Sequence, residues 1–74
     1  MSNQGVVLFY GTQAALRSEK VLKKAHLTVK LMPTPRQFSS NCGVALRFSW
    51  SDLEQVQKHL TAARVEIEAV HPLE

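Results

Sequence analysis

Hydrophobic and polar residues alternate along the chain with two periodicities, one typical of strands and one typical of helices. The apolar run from Val6 to Tyr10 is rich in β-branched and aromatic residues and lies between two glycines, which predicts a buried central strand. A helical rhythm follows over 13–25, and the hydroxyl of Thr12 is placed to cap its first turn. The apolar stripe of this helix comprises Ala14, Ser18, Val21, Leu22 and Ala25.

The rest of the pattern predicts two strands, a second helix and a last strand. Leu27 to Met32 and Val44 to Trp50 alternate as half-buried strands do, and the prolines after Met32 end the first of them. Ser51-Asp52-Leu53-Glu54 has the spacing of a capping box, in which the Ser51 hydroxyl and the Glu54 carboxylate each satisfy a backbone N–H of a starting helix. Val65 to Val70 alternates again and predicts the last strand.

The resulting order, β-α-β-β-α-β, predicts an α+β fold of the ferredoxin-like type, with a four-stranded antiparallel sheet and two helices on one face. The other face of the sheet is then open. Ala45 and Arg47 would lie at its centre, with Thr28, Lys30 and Met32 at one edge and Glu66 and Glu68 at the other. Such oppositely charged edges would either pair between subunits of a homodimer or only prevent sheets from aggregating.

Length and composition limit the chain to one small domain. We assign it residues 1–72, because Leu73-Glu74 look like the join to a purification tag. Of the 74 residues 45% are hydrophobic, which is typical of a folded protein, and the apolar runs are too short to span a membrane. The start of the chain lacks the pattern of a signal peptide, and a single cysteine forms no internal disulfide. Both features favour a cytoplasmic protein.

The segment from Pro33 to Gly43 is long for a connection between neighbouring strands, and such loops often carry function. It contains the only cysteine of the chain, Cys42. A cysteine acts through its thiolate, which nearby cations and hydrogen-bond donors favour. The candidates for tuning this thiol or binding its cargo are Arg36, Ser39, Ser40, Asn41, Gly43 and Arg47. An incidental, buried cysteine is the alternative.

Several stretches of the chain resemble the family of small bacterial selenium/sulfur carrier-like proteins. They are Phe9-Tyr10-Gly11-Thr12, Ala15-Leu16-Arg17, Met32-Pro33-Thr34-Pro35-Arg36 and, most specifically, Ser39-Ser40-Asn41-Cys42-Gly43-Val44-Ala45-Leu46-Arg47-Phe48. The resemblance implies a cytoplasmic bacterial protein whose cysteine receives sulfur or selenium from a donor protein, holds it as a persulfide or selenopersulfide, and passes it to an acceptor. The basic helix face formed by Arg17, Lys20 and Lys24 is the candidate surface for docking these partners.

Other functions have less support in the sequence. The main alternative is an interaction or small-ligand-binding module in which Cys42 has no role. A carrier is favoured over a stand-alone enzyme, since no histidine lies near Cys42 in sequence to act as its base. We expect no cofactor and no metal, because His26, His59 and His71 are widely separated in sequence. Nucleic-acid binding is disfavoured because the third strand offers Ala45 and Arg47, not aromatic residues, on the open face.

Overall fold

The computed structural model describes residues 3–38 and 43–73 of the chain. Its sheet contains β1 (Gln4–Leu8), β2 (Val29–Pro33), β3 (Val44–Ser49) and β4 (Ala69–Leu73), and its helices are α1 (Thr12–Lys24) and α2 (Leu53–Ala62). The strand order is β2-β3-β1-β4, and every neighbouring pair is antiparallel. The predicted ferredoxin-like α+β fold is therefore confirmed, with β1 and β3 at the centre and β2 and β4 at the edges.

The register of the sheet sorts its residues between two faces. Val7 lies opposite Leu46 on β3 and opposite Val70 on β4, and these positions face the two helices. Alternation then turns the neighbours of Val7 to the other side. The core between sheet and helices is built from buried residues of both layers: Val7, Phe9, Ala15, Leu22, Val29, Leu46, Phe48, Val56 and Leu60.

The face of the sheet away from the helices holds a second, smaller core. Val6, Leu8 and Ala45 are buried there, and Phe38 from the β2–β3 connection packs against them. Met32, Ala69 and Leu73 also contact this cluster. The expectation of an open face is therefore wrong around Ala45, which is fully buried, because the chain after β2 folds back across this end of the sheet.

Both helices end in the same backbone motif. His26 and Arg64, the second residue after each helix, adopt left-handed φ angles of 65° and 58°. The N–H of Leu27 donates to the carbonyl of Leu22 over 3.0 Å, and the N–H of Val65 donates to that of Leu60 over 3.0 Å. These are Schellman motifs, and each joins two residues of the helix-side core.

Several helix starts and strand bounds differ from the sequence-based expectation. β2 begins two residues later than predicted, at Val29, and it includes Pro33, which was expected to lie beyond its end. Gly11, not Thr12, is the N-cap of α1. The capping box is not formed, because residues 50–52 make a 3-10 turn before α2 and the Ser51 hydroxyl instead lies 3.1 Å from the hydroxyl of Ser49. β1 begins and ends two residues earlier than predicted, at Gln4 and Leu8, although Phe9 beyond it stays fully buried.

The last strand is the largest correction. β4 begins only at Ala69, because Val65 completes the Schellman motif of α2 and the N–H of Glu68 donates to the carbonyl of Leu8 before pairing begins. Glu66 and Glu68 therefore precede the edge strand and do not lie on it. The expectation of an acidic edge is wrong. β4 therefore offers no row of carboxylates that could pair with the basic edge of a second subunit. Leu73 is paired opposite Gln4.

Candidate functional site

The loop that carries the candidate thiol is closed at its base by the β2–β3 ladder. Pro33 lies opposite Val44, and beyond this pair the N–H of Thr34 donates to the carbonyl of Gly43 over 3.1 Å. The Thr34 bond continues the register one step beyond Pro33, which itself has no N–H to donate. The two ends of the loop are thereby held next to each other.

The chain leaves this base through a short turn. The N–H of Phe38 donates to the carbonyl of Pro35 over 3.0 Å, and Arg36 within the turn is exposed. Phe38 then stacks on His71 of β4, with ring centroids 4.5 Å apart and planes 9° from parallel. The first part of the loop is thus fixed on the helix-free face of the sheet.

Four of the predicted site residues, Ser39, Ser40, Asn41 and Cys42, lie outside the described residues. Gly43, the next residue, is exposed, and its φ is not in the left-handed region. A Cβ at Gly43 would have no heavy atom of residues 3–38 or 45–73 within 4 Å. The described backbone therefore makes no use of the conformational freedom for which this glycine was singled out.

Arg47 lies on the helix-free face, half-buried, opposite Lys30 on one side and Val6 on the other. It is four residues along β3 from Gly43, roughly 13 Å at the rise of a strand. The structure therefore groups Arg47 with Lys30 rather than with the base of the loop. Arg36 is the predicted cation that lies on the loop itself.

The proposed docking residues Arg17, Lys20 and Lys24 are all exposed on α1. Together with Val21 and Lys23 they line a shallow hollow of about 600 Å³. Since α1 packs on the opposite face of the sheet from Arg47, the basic helix surface and the Lys30–Arg47 pair are on different sides of the molecule.

The three predicted docking cations are not equivalent. The Nη2 of Arg17 donates to the carbonyl of Ala63, the C-cap of α2, over 3.0 Å. Lys23 forms a salt bridge with Glu19 at 3.3 Å. Lys20 and Lys24 make no ion pair with any residue in the described ranges, which leaves their charges available to a partner.

Phe38 and His71 are the residues at this end of the molecule that sequence analysis missed. The signal for Phe38 was its place as the one aromatic residue of an otherwise polar loop. No signal pointed to His71, because its strand was placed too early in the chain. Within residues 3–38 and 43–73, no group of three or more His, Cys, Asp or Glu side chains is placed to hold a metal ion.

Comparison with known proteins adds one match. A family model described as "Putative Se/S carrier protein-like" matches residues 4–72, from the first residue of β1 almost to the end of β4. No curated protein and no solved structure matches the chain. Among the described residues, no helix has the length and apolar character needed to cross a membrane.

Proposed function

Because the chain belongs to the Se/S carrier-like family, we propose that it carries sulfur or selenium on Cys42, as a persulfide or selenopersulfide, and passes the atom to an acceptor protein. One observation carries this proposal: the family match extends over residues 4–72, and within that range the sequence contains a single cysteine. A cysteine thiolate is the side chain best suited to bind a sulfur or selenium atom through a covalent bond to its own sulfur.

Loading follows the chemistry of thiol–disulfide exchange. The Cys42 thiolate attacks the outer sulfur of a donor protein's persulfide. A new S–S bond forms on Cys42, the S–S bond of the donor breaks, and the donor's cysteine leaves as a thiolate. The proton stays on the outer sulfur, so no external oxidant or reductant is needed.

Unloading repeats the same step in the opposite direction. A nucleophile of the acceptor attacks the outer sulfur or selenium, and Cys42 leaves as a thiolate ready for another cycle. A second thiol in the same chain would attack the persulfide and discharge it as a disulfide. With one cysteine in 74 residues, this chain has no internal route for that loss.

The described part of the chain provides a rigid support for this chemistry. The bond from Thr34 to Gly43 closes the base of the loop, and the stacking of Phe38 on His71 holds its first half. Arg36, Ser39, Ser40, Asn41 and Gly43 remain the residues proposed to tune the thiol or hold its cargo. A reducing compartment such as the cytoplasm of a bacterium suits this function, because there an unpaired thiol stays reduced.

Transfer also requires that donor and acceptor proteins dock. We assign this role to Lys20 and Lys24, whose charges are exposed and unpaired within the described residues. Arg17 lies on the same surface but is bonded to α2, so its share in docking is smaller. A partner that fits this surface carries an acidic patch.

The direct test is intact mass measured without reductant, after incubation with a cysteine desulfurase and cysteine. The wild-type chain should gain the mass of one or more sulfur atoms, and a thiol reductant should remove the gain. Cys42→Ser should gain nothing. A parallel reaction with a selenium donor distinguishes the two cargoes by the larger mass and isotope pattern of selenium.

The alternative is an interaction module in which the cysteine is incidental. If the folded wild-type chain gains no mass with several donors, the carrier function is wrong and the module is favoured. Charge reversal separates docking from chemistry: Lys20→Glu with Lys24→Glu should slow loading from the donor protein. The matched control is Lys58→Glu, at an exposed position of α2.

A further inference from the structure

A small hollow opens on the helix-free face of the sheet, over the end of β3 and its two neighbours β1 and β2. Its volume is about 90 Å³, and its polar lining comes from Gln4, Thr28, Lys30, Arg47 and Ser49. The register explains why these residues lie close together. Lys30 of β2 lies directly opposite Arg47 of β3, and Gln4 of β1 lies directly opposite Ser49 of β3. Two cations and three neutral hydrogen-bonding side chains therefore share one site.

The positive charges of Lys30 and Arg47 face each other, and no negative charge among the described residues pairs with either of them. Like charges directly opposite on neighbouring strands destabilise a sheet. Neither Lys30 nor Arg47 forms an ion pair with any residue in the parts of the chain that the structure describes. A lysine on an edge strand such as β2 is a common protection against aggregation, but Arg47 lies on the central strand β3, where this explanation does not apply.

We propose that this hollow binds a small tetrahedral oxyanion of the phosphate type. An anion between Lys30 and Arg47 would replace their repulsion by two charge-assisted hydrogen bonds, and the planar fork of arginine suits such an oxyanion. Gln4 and Thr28 add neutral donors. Ser51 can donate to Ser49, which leaves the Ser49 hydroxyl proton free for the ligand.

The size of the hollow limits the ligand. Pockets for drug-sized molecules enclose about 300–1,000 Å³, several times the volume found here. The site therefore fits a single phosphate or sulfate group rather than a whole nucleotide. A larger molecule could place only its terminal phosphate between the two cations.

This inference does not rest on the proposed carrier function. Ser49, at the hollow, is six residues along β3 from Gly43, roughly 20 Å at the rise of a strand. Oxyanion binding is measured without any sulfur donor, and sulfur loading is measured without phosphate. Failure of one proposal therefore leaves the other to be judged by its own experiment.

The test is a titration of the ¹⁵N-labelled full chain with sodium phosphate, followed by amide NMR at constant pH. Saturable shifts should be confined to the residues of the hollow. Lys30→Gln should weaken binding severalfold, and Arg47→Gln should weaken it about tenfold or more, because a charge-assisted hydrogen bond is lost in each. Lys58→Gln, which removes a charge from the exposed side of α2, should bind as the wild type does.

Sodium chloride at matched ionic strength is the salt control. The absence of saturable shifts, the same shifts with chloride, or equal weakening in Lys58→Gln would each overturn the proposal. If Arg47→Gln does not fold, Lys30→Gln on the exposed edge strand still decides the question. A phosphate monoester titrated in parallel identifies the source: binding equal to that of inorganic phosphate points to a terminal phosphate group, and much weaker binding points to the free ion.

Discussion

Phe38 and His71 stack face to face, with their ring centroids 4.5 Å apart, although 33 positions of sequence separate them. The stack joins the start of the Cys42 loop to the edge strand β4, and its Phe38 ring packs against Val6, Leu8 and Ala45. Phe38→Ala removes the ring and exposes this small core. We expect the free energy of unfolding to fall by about 1–3 kcal/mol, less than for a fully buried phenylalanine because Phe38 is half-buried.

Urea unfolding followed by circular dichroism measures this change. Tyr10→Ala is the matched control, since Tyr10 is 60% exposed and its truncation should change stability by at most about 0.5 kcal/mol. Equal losses in both variants would mean that the stack adds nothing to the fold.

Gly5 is required by the packing of aromatic rings against β1. A Cβ at this position would overlap the Cε3 of Trp50 and lie 2.7 Å from its Cζ3 and 2.9 Å from the Cζ of Phe48. Gly5→Ala should therefore lower the free energy of unfolding by roughly 1–3 kcal/mol, as overpacking of a core does. Gly43→Ala places its Cβ at least 4 Å from every heavy atom of residues 3–38 and 45–73, and it should be neutral in the same thermal or urea unfolding measurement. A neutral Gly5→Ala would show that the two rings move aside at little cost.

The left-handed residues at the helix ends offer a gain in stability. His26 and Arg64 carry a Cβ at φ angles that glycine adopts without penalty. We expect His26→Gly and Arg64→Gly each to raise the free energy of unfolding by about 0.5–1 kcal/mol. His26→Ala keeps the Cβ and should bring no such gain, so a similar gain in both His26 variants would place the cause in the imidazole rather than in the backbone.

Arg17 should contribute to stability as well as to the basic surface. Its guanidinium bonds to the C-cap carbonyl of α2, where a cation also interacts favourably with the helix dipole. Arg17→Gln should lower the melting temperature measurably, by an amount that corresponds to about 0.5 kcal/mol for an exposed interaction. Lys20→Gln, one turn away, removes no hydrogen bond or ion pair to α2 and should leave the melting temperature unchanged. If the two variants have the same melting temperature, the hydrogen bond to Ala63 does not contribute to stability in solution.

The sequence predicts well those elements whose hydrophobic residues all face one core, the core between the sheet and the helices. β3 alternates Leu46 and Phe48 toward the helices with Ala45 and Arg47 away from them, as expected, and the strand order follows from the order of elements. Short motifs of polar residues predicted the helix starts less well than the hydrophobic pattern predicted the strands. The Ser51–Glu54 spacing fits a capping box, yet the chain forms a 3-10 turn there because Trp50 packs against the core.

The helix-free face could not be predicted, because contacts between distant segments determine it. A strand pattern over 65–70 and the actual strand at Ala69–Leu73 both alternate, and only the end of α2 and the bond from Glu68 to Leu8 decide between them. The same displacement hid His71, and therefore the partner of Phe38. Lys30 and Arg47 were both placed on the correct face, but their direct opposition depends on a register that no local pattern reveals.

The bond from Thr34 to Gly43 has a consequence for how this domain can diversify. Because the ladder ends in a closed base, the connection between Thr34 and Gly43 is attached to the sheet at two fixed points, and its described residues, 35–38, contribute no strand pairing of their own. Doubling the length of such a loop costs only about 0.6 kcal/mol of closure entropy. The scaffold can therefore accept loops of other lengths and side-chain chemistries between the same two strands. Under the proposed carrier function, cargo preference can then evolve without any change in the fold that presents the loop.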